Sequence, residues 1–513
     1  AEVALRDAYN VHSRIGNEQG AANALDGLGN AYGAQSKFQE AENALTEACK
    51  IHRRFSSELG VGKALVGLGE IYKAQSRNQE AENALKEAYE IHSRIGNMQG
   101  RANALSCLGE VYRLQSRNQE SEKALSEAHE IHSVIGNDLG AADAMGGLGE
   151  TYRAQSRNQE AENALREAHE IHSRIGNERG AANALVGLGH VHRAQSKYQE
   201  AEKAFKEAHV IHSRMGNEID VANALEGLGG IYRAQSKYLE AEDALKKAHE
   251  TYSRIGNALR VGSALHELGL LYSDQDMYEE ARSSLCQALT AYDRVESAYG
   301  RARTLTALAQ LYQEENQSSQ AEVLLTEALT ISVSIAHKEG QANASVILAQ
   351  VLQSQSKYGE AAEALTQAEA IFARMGDNHR RATVLDRLGD VYHTQAKYTE
   401  AEESYHLAQA IYSSTSDGRG AAVELRSLGA LYGAQGRHHD AEEQFAQARI
   451  ASAGIADDDG ELMALDGLMV TCGFQHKFAE MRSYCLAACE IYARTGNPVS
   501  EICADVLGLI QDS

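Results

Sequence analysis

The sequence has a single proline, Pro498, in 513 residues, and it has no tryptophan. By length alone such a chain would divide into roughly three or four ordinary domains. Linkers between such domains normally carry proline, so its near absence argues against that organisation. Cysteine is sparse: seven residues do not make the framework of a small disulfide-stapled domain. A reducing, cytoplasmic setting fits that usage. No apolar run approaches the length of a membrane span, so no membrane partner is expected. No signal peptide is visible in the opening AEVALRDAYNVH, which lacks methionine and reads as cut from something longer. Positive charge is also short: 49 Lys and Arg face 72 Asp and Glu, a formal net charge of −23. That average field repels a phosphate backbone, so nucleic acid is not an expected partner.

Glycine, by contrast, is plentiful, with 44 residues placed at regular intervals. Residues 60–99, GVGKALVGLGEIYKAQSRNQEAENALKEAYEIHSRIGNMQ, align without a gap to 180–219, GAANALVGLGHVHRAQSKYQEAEKAFKEAHVIHSRMGNEI. The period is 40, and it holds from 20 to 499 as twelve copies. Each copy carries two apolar faces at helical spacing: Leu65, Leu68, Gly69 and Tyr72 on the first helix, then Ala81, Leu85, Ala88 and Ile91 or His92 on the second. SRNQ at 76–79 predicts the turn between them, with Ser76 and Gln79 resembling a capping box. Gly96 suits a left-handed C-terminal cap and Asn97 the next N-cap. Two helices of this length bury no core alone, whereas stacked copies do. The expected fold is therefore all-α, a solenoid of antiparallel helix pairs.

Comparing copies shows what each slot accepts. The Leu68 slot is leucine in every copy, from Leu28 to Leu468. The Gly69 slot departs from glycine only at Ala309, Ala349 and Met469, and the Ala81 slot departs from alanine only at Ser121 and Met481. Small residues at both slots imply close approach of paired helices. The copy at 460–499 has methionine in both, so its pair should be splayed.

The order leucine-glycine, tyrosine, alanine, large apolar residue, alanine, read at Leu68-Gly69, Tyr72, Ala81, Leu85 and Ala88, resembles the tetratricopeptide repeat (TPR) over almost the whole chain. Two departures stand out: Leu65 replaces the family's usual tryptophan, and Ser93 stands where a proline is frequent. The forty-residue length and the GN…G junction are similar to the longer repeats of kinesin light chains and spindle-orientation adaptors, and to the C-terminal arrays of fungal NLR-like signalling ATPases. The resemblance implies a right-handed superhelix whose first helices line a concave groove for partner peptides.

On a first helix the face opposite Leu65, Leu68 and Tyr72 holds the slots of Lys63, Gly67 and Glu70, with Lys73 at its flank. The Lys73 slot continues as Arg113, Arg153, Arg193 and Arg233, and the Lys63 slot includes Asn23, Asn103, Asn183 and Asn223. Asparagine can pair with both donor and acceptor of an extended backbone, and arginine grips a carboxylate with two parallel hydrogen bonds. These nine residues, Lys73 included, are the candidate groove contacts. Glycine at the Gly67 slot would leave room for a ligand backbone. A second reading stands beside this one: Glu110 with Arg113, or Glu150 with Arg153, are three apart on one helix and stabilise it without any ligand.

AHEIHSRIGN at 168–177 resembles the start of a metal site, but its histidines are three apart and zincins need four. The His172 slot also reads Tyr252, Tyr292, Phe372, Tyr412 and Tyr492, which exchange for a flat ring and not for a zinc ligand. Stacked histidines there would give a weak pH response. Cys472, Cys485, Cys489 and Cys503 crowd the C-terminal end, and packing accounts for the first two. No phosphate-binding loop, nucleophile elbow or carboxylate pair is present, so no enzyme activity, cofactor or metal is expected.

Residues 1–19 read as the second helix of a pair, with an apolar edge at Ala4, Ala8 and Val11. Residues 500–513 read as a lone first helix capping the last pair, and 20–259 are near-identical copies while 260–499 diverge, one solenoid with two histories. The expected function is a non-enzymatic scaffold holding a protein or an extended peptide, acidic where the arginines meet it. The alternative is the sensing or autoinhibitory arm of a larger NLR-like ATPase, with other domains of its own full-length chain as partner.

Overall fold

The computed structural model describes residues 2–415 and 417–511, with side chains as far as 508. Among these residues 26 helices follow one another and no strand forms. In most copies both helices have 17 residues, as in Glu58–Ala74 and Asn78–Arg94, and a three-residue connection follows each. Two such helices and two such turns account for the period of 40. The expected all-α solenoid of helix pairs is the observed fold.

Both turns end a helix in the same way. Gly96 is left-handed at φ +69°, its N–H reaches Ser93 O, and Asn97 N–H reaches His92 O at 2.9 Å. This double bond pattern satisfies the last carbonyls of the helix. Asn97 then caps the next helix, its Oδ1 accepting from Gly100 N–H at 3.1 Å. Ser76 corrects the sequence expectation. It is not an N-cap but the left-handed residue of the other turn, at φ +60°, with Ser76 N–H on Lys73 O and Arg77 N–H on Tyr72 O. Arg77 occupies the N-cap position and makes no side-chain cap bond.

Gly69 is small because Leu85, from the second helix of its own copy, lies directly on it; a Cβ there would overlap the leucine. The Gly67 slot also differs from expectation. A Cβ on Gly67 would stand 3.1 Å from Leu45, which comes from the second helix of the preceding copy. The space left by that glycine is therefore taken by the protein's own leucine. Leu45, Leu125 and Leu165 are thus each held between the small slots of two successive first helices. Phe205 repeats the arrangement between Gly189 and Gly227.

The chain falls into two compact units, Ala1–Asn257 and Ala258–Ser513. In the first unit, first helices of consecutive copies touch one another directly, whereas second helices barely do. Within that unit the stack therefore curves with its first helices on the inner side. Ala4 and Val11 at the start are exposed and Ala8 is half-buried. In the second unit, Asp458–Phe474 and Phe478–Thr495 approach each other less than any other pair, with Met469 and Met481 both buried between them. The looser pairing expected from two methionines in small slots is present. Among the described residues no helix is long and apolar enough to cross a membrane.

Gly146 and Gly227 test this packing with opposite signs. A Cβ at Gly146 meets nothing, so Gly146→Ala should stabilise the chain by about 0.5–1 kcal/mol through helix propensity. A Cβ at Gly227 would press into the Phe205 ring, so Gly227→Ala should cost about 1–3 kcal/mol. Urea unfolding of both variants measures the difference.

Candidate functional site

The inner side of the first unit has a hollow of about 740 Å³ over its first copies. Its polar lining includes Asp26, Asn30, Lys63, Glu70 and Asn103, all from first helices, with Val66, Gly67 and the buried ring of His92 at the floor. The hollow thus brings together Lys63 and Asn103, one copy apart. Asn23, Asn103 and Asn183 are exposed. Gln99 Nε2 donates to Asn103 Oδ1 at 2.8 Å. Asn223 is half-buried, and Tyr252 Oη donates to its Oδ1 at 2.8 Å.

The cationic flank is partly occupied already. Lys73 pairs with Glu110 of the next copy. Arg153 pairs with Glu150 at 2.7 Å on its own helix, as the second sequence reading foresaw. Arg113 is half-buried and Arg193 is exposed, with its guanidinium over Gly230; no ion pair joins either to another described residue. Arg233 is half-buried and engaged within the protein.

The rings of the His172 slot lie behind this face. His52, His92, His132, His172 and His212 are buried, as are Tyr252, Tyr292 and Phe372. Each ring packs against the glycine that opens the next first helix where one is present, as His92 does on Gly100. Because Asn97 Oδ1 caps that helix, its Nδ2 faces His92 Nδ1 at 3.1 Å and donates to it. The ring proton then sits on Nε2. The same bond joins Asn137 to His132 and Asn177 to His172. Burial holds the pKa of His92, His132 and His172 below the ordinary histidine value. The nearby Asp143 carboxylate partly offsets this at His172. AHEIHSRIGN is therefore a packing and capping element.

The second unit has its own hollow, of about 410 Å³, where the first helices Lys338–Ser354 and Asn378–Thr394 make little direct contact. Three arginines line it: Arg303, Arg380 and Arg387. Arg303 is paired with Glu267, and Arg380 with Asp377 and Glu339. Arg387 lies against the Gln350 carboxamide and has no carboxylate partner among the described residues. One helical turn away is a group of acids. Glu424 occupies a slot that is alanine in most copies, is fully buried, and faces no hydrogen-bonding group among the described residues except the Asp386 carboxyl. Burial, with Asp386 and Asp390 beside it, pushes Glu424 up to about 9. Burial and Asp390 bring Asp386 to about 6. Tyr405 Oη donates to Asp390 Oδ1 at 2.8 Å.

One set of residues escaped the sequence reading. Arg117 Nη1 donates to Glu82 of the preceding copy at 2.7 Å, and its guanidinium stacks on Tyr112 with 4.4 Å to the ring centre. Arg77–Glu42, Arg157–Glu122, Lys197–Glu162 and Lys357–Glu322 repeat the bridge. The signal was available as a basic slot that in most copies falls 35 residues after an acidic one. At Arg282 the acidic slot turns basic, and Glu315 supplies the opposite charge at 2.6 Å.

Stacked helix pairs with a polar hollow on the first-helix side define a helical-repeat scaffold. A tetratricopeptide repeat profile matches residues 100–174, 155–214, 180–254, 220–294, 261–334, 340–414 and 380–452, more than half of the sequence. The chain belongs to the tetratricopeptide repeat family, and as such an array it is a protein-interaction scaffold in type. A soluble NSF attachment protein (SNAP) profile also matches residues 3–134. No curated protein sequence matches the chain. Among solved structures it is similar to BtubC (BKLC) from P. vanneervenii, at 16% identity and TM-score 0.38, covering 43% of this chain and 92% of that one. A signal transduction ATPase with numerous domains (STAND) and a tetratricopeptide repeat sensor, from Pyrococcus horikoshii, aligns at 15% identity and TM-score 0.49, over 73% of this chain and 53% of that one. A Rap protein complexed with competence and sporulation factor aligns at 16% identity and TM-score 0.49, over 66% and 99%.

The buried histidines of the first unit and Glu424 of the second should respond to pH in opposite directions. A histidine whose folded pKa lies below the unfolded value of about 6.5 gives stability that is present above that value and lost as pH falls. Acidification from pH 7.5 toward 5 should destabilise the first unit, and His92→Phe, His132→Phe and His172→Phe together should flatten that slope in urea titrations. A raised carboxyl works the other way: Glu424 favours the fold at low pH and loses that contribution as pH rises from about 4.3 toward about 9. Glu424→Gln should therefore stabilise the chain at pH 8 more than at pH 5, as measured by the same titrations.

Proposed function

We propose that the chain holds a protein or extended peptide segment along the first-helix face of its units. One observation carries this reading. The hollows of the two units are lined by the same four slots of the repeat: Lys63, Val66, Gly67 and Glu70 in the first, Arg303, Thr306, Ala307 and Gln310 in the second. The copies around them have diverged in sequence, yet an open recess recurs at the same place in the repeat.

The chemistry of the recess favours an extended segment with acidic groups. Exposed carboxamides at Asn23, Asn103 and Asn183 each offer a donor and an acceptor to a peptide backbone. Asn223, already bonded to Tyr252 and Asp220, would exchange one of these partners for the same use. Arg113 and Arg193 reach a passing carboxylate from the flank, while Lys73 and Arg153 would exchange Glu110 and Glu150 for it, and Arg233 would extend the row. In the second unit Arg387, bonded to the neutral Gln350 amide and acting on the Asp386 carboxyl without a close ion pair, is the position where a partner carboxylate gains most.

The test is selection of peptides from a random library on the full chain, followed by mapping with a photo-crosslinking amino acid. Placed at Asn103 or Ala307 it should capture the selected peptides. Placed at Glu130 or Glu250, exposed on second helices, it should not. Arg387→Glu should weaken acidic peptides about tenfold, or about 1.4 kcal/mol. Capture from Glu130 and Glu250 instead would sink the proposal. Capture of the protein's own chain at Asn103 would favour the sensing-arm alternative.

A further inference from the structure

Four of the seven cysteines fall between 472 and 503. Three of them converge although they come from two helices. Cys485 and Cys489 are four apart and share one face of Phe478–Thr495. Cys503 comes from the last helix, Glu501–Gln511, which lies outside the repeat pattern. Cys485 Sγ and Cys503 Sγ are 3.3 Å apart, and Cys489 Sγ and Cys503 Sγ are 3.8 Å apart. All three sulfurs lie within 4.8 Å of one another, and none is in a disulfide.

Packing explains part of this. Cys485 stands in the slot that is leucine, phenylalanine or tyrosine in every other copy, and Met469 stands opposite in the glycine slot, so volume has moved from one side to the other. That exchange requires a small residue at 485. It does not require a thiol at 489 or 503, nor that both aim at the same point. A tetrahedral zinc–thiolate centre with bonds of about 2.3 Å places its sulfurs about 3.8 Å apart. The observed spacing is close to that edge. Cys485 and Cys503 are fully buried among Met481, Ile491 and Val506, which keeps the centre dry. Cys489 is half-buried and gives it one open side.

We infer that Cys485, Cys489 and Cys503 form a three-thiolate site for a thiophilic divalent cation of the zinc type, with a fourth position open to water or a partner ligand. The ion replaces the thiol protons as it binds. Because each sulfur must lose its proton to bind, affinity rises with pH. Its mechanical effect is to fasten the terminal helix to the last repeat, whose own pair is the loosest in the second unit.

Cobalt is the probe. The full chain, reduced with a phosphine and stripped with a chelator, is titrated with Co²⁺ under nitrogen. One equivalent should produce thiolate-to-metal charge transfer and the intense visible bands of tetrahedral cobalt, and one equivalent of Zn²⁺ should bleach them. Cys489→Ser and Cys503→Ser should each weaken binding by more than about a hundredfold, beyond the loss seen for outer-shell partners. Cys472→Ser and Cys286→Ser should leave it unchanged. Hydrogen exchange across 501–511 should slow on zinc addition in the native sequence but not in Cys489→Ser, whose half-buried position spares the fold. A titration without a saturable signal overturns the site. So does a signal that survives Cys489→Ser with Cys503→Ser. Oxidation of the reduced pair Cys485–Cys503 to a disulfide by glutathione disulfide, with no cobalt uptake, also overturns it and assigns a redox pair instead.

Discussion

Much else in this protein depends on one steric relation, seen at Leu45, Leu125, Leu165, Phe205 and Phe445: a large side chain from a second helix is held between the small slots of two first helices, its own and the next. Leu45 between Gly29 and Gly67 is the pattern, and Phe205 between Gly189 and Gly227 is its bulkiest form. Because the wedge touches both neighbours, it fixes pairing within a copy and stacking between copies at once. It also explains why the two sides of the array differ. First helices are drawn together over the glycines, so they line the inner side in the first unit, and polar residues that are not needed for packing are left there. The core is therefore continuous in character but local in origin, as nearest-neighbour stability in repeat proteins requires.

Charge follows the same local logic. Arg117 reaches back one copy to Glu82 while resting on Tyr112, so a single guanidinium serves as ion-pair partner and ring cover. The inverted pair Arg282 and Glu315 keeps the bridge with its signs exchanged. An exposed ion pair contributes little. The pair to Glu82 is different, because that carboxylate is 4% exposed and is balanced by Arg117 and Lys86. The acidic excess of the chain is in this way partly tied up between copies, and the inner side keeps a mixed character despite the net charge.

Much of this architecture was legible in the sequence because each slot was sampled twelve times. Rings at the His172 slot, the Gly96 cap and the Asn97 cap follow from local chemistry, and the structure has them where the letters put them. Ser76 departs from its sequence expectation because serine with a glutamine three residues on suits an N-cap, and no local signal says that the same serine must take a left-handed backbone. The Gly67 slot departs because its neighbour, Leu45, belongs to the preceding copy, and only tertiary packing brings them together. The arginine hollow and Glu424 were illegible for another reason. A pattern read from recurrence is blind to departures from it, and Arg387 and Glu424 are such departures. In a repeat array, departures are where an individual site has to be written.

The three-residue turns have a consequence for how such a chain can change. No turn residue is idle, since one ends a helix, one takes the left-handed conformation, and one closes the old helix while starting the new. A single inserted residue inside a helix would swing every later side chain by about 100° around its axis, turning the wedge away from both of its glycines. Length can therefore be altered only in whole copies. The inner face grows or shrinks in steps of one first helix, with the slots on either side of the join still in register.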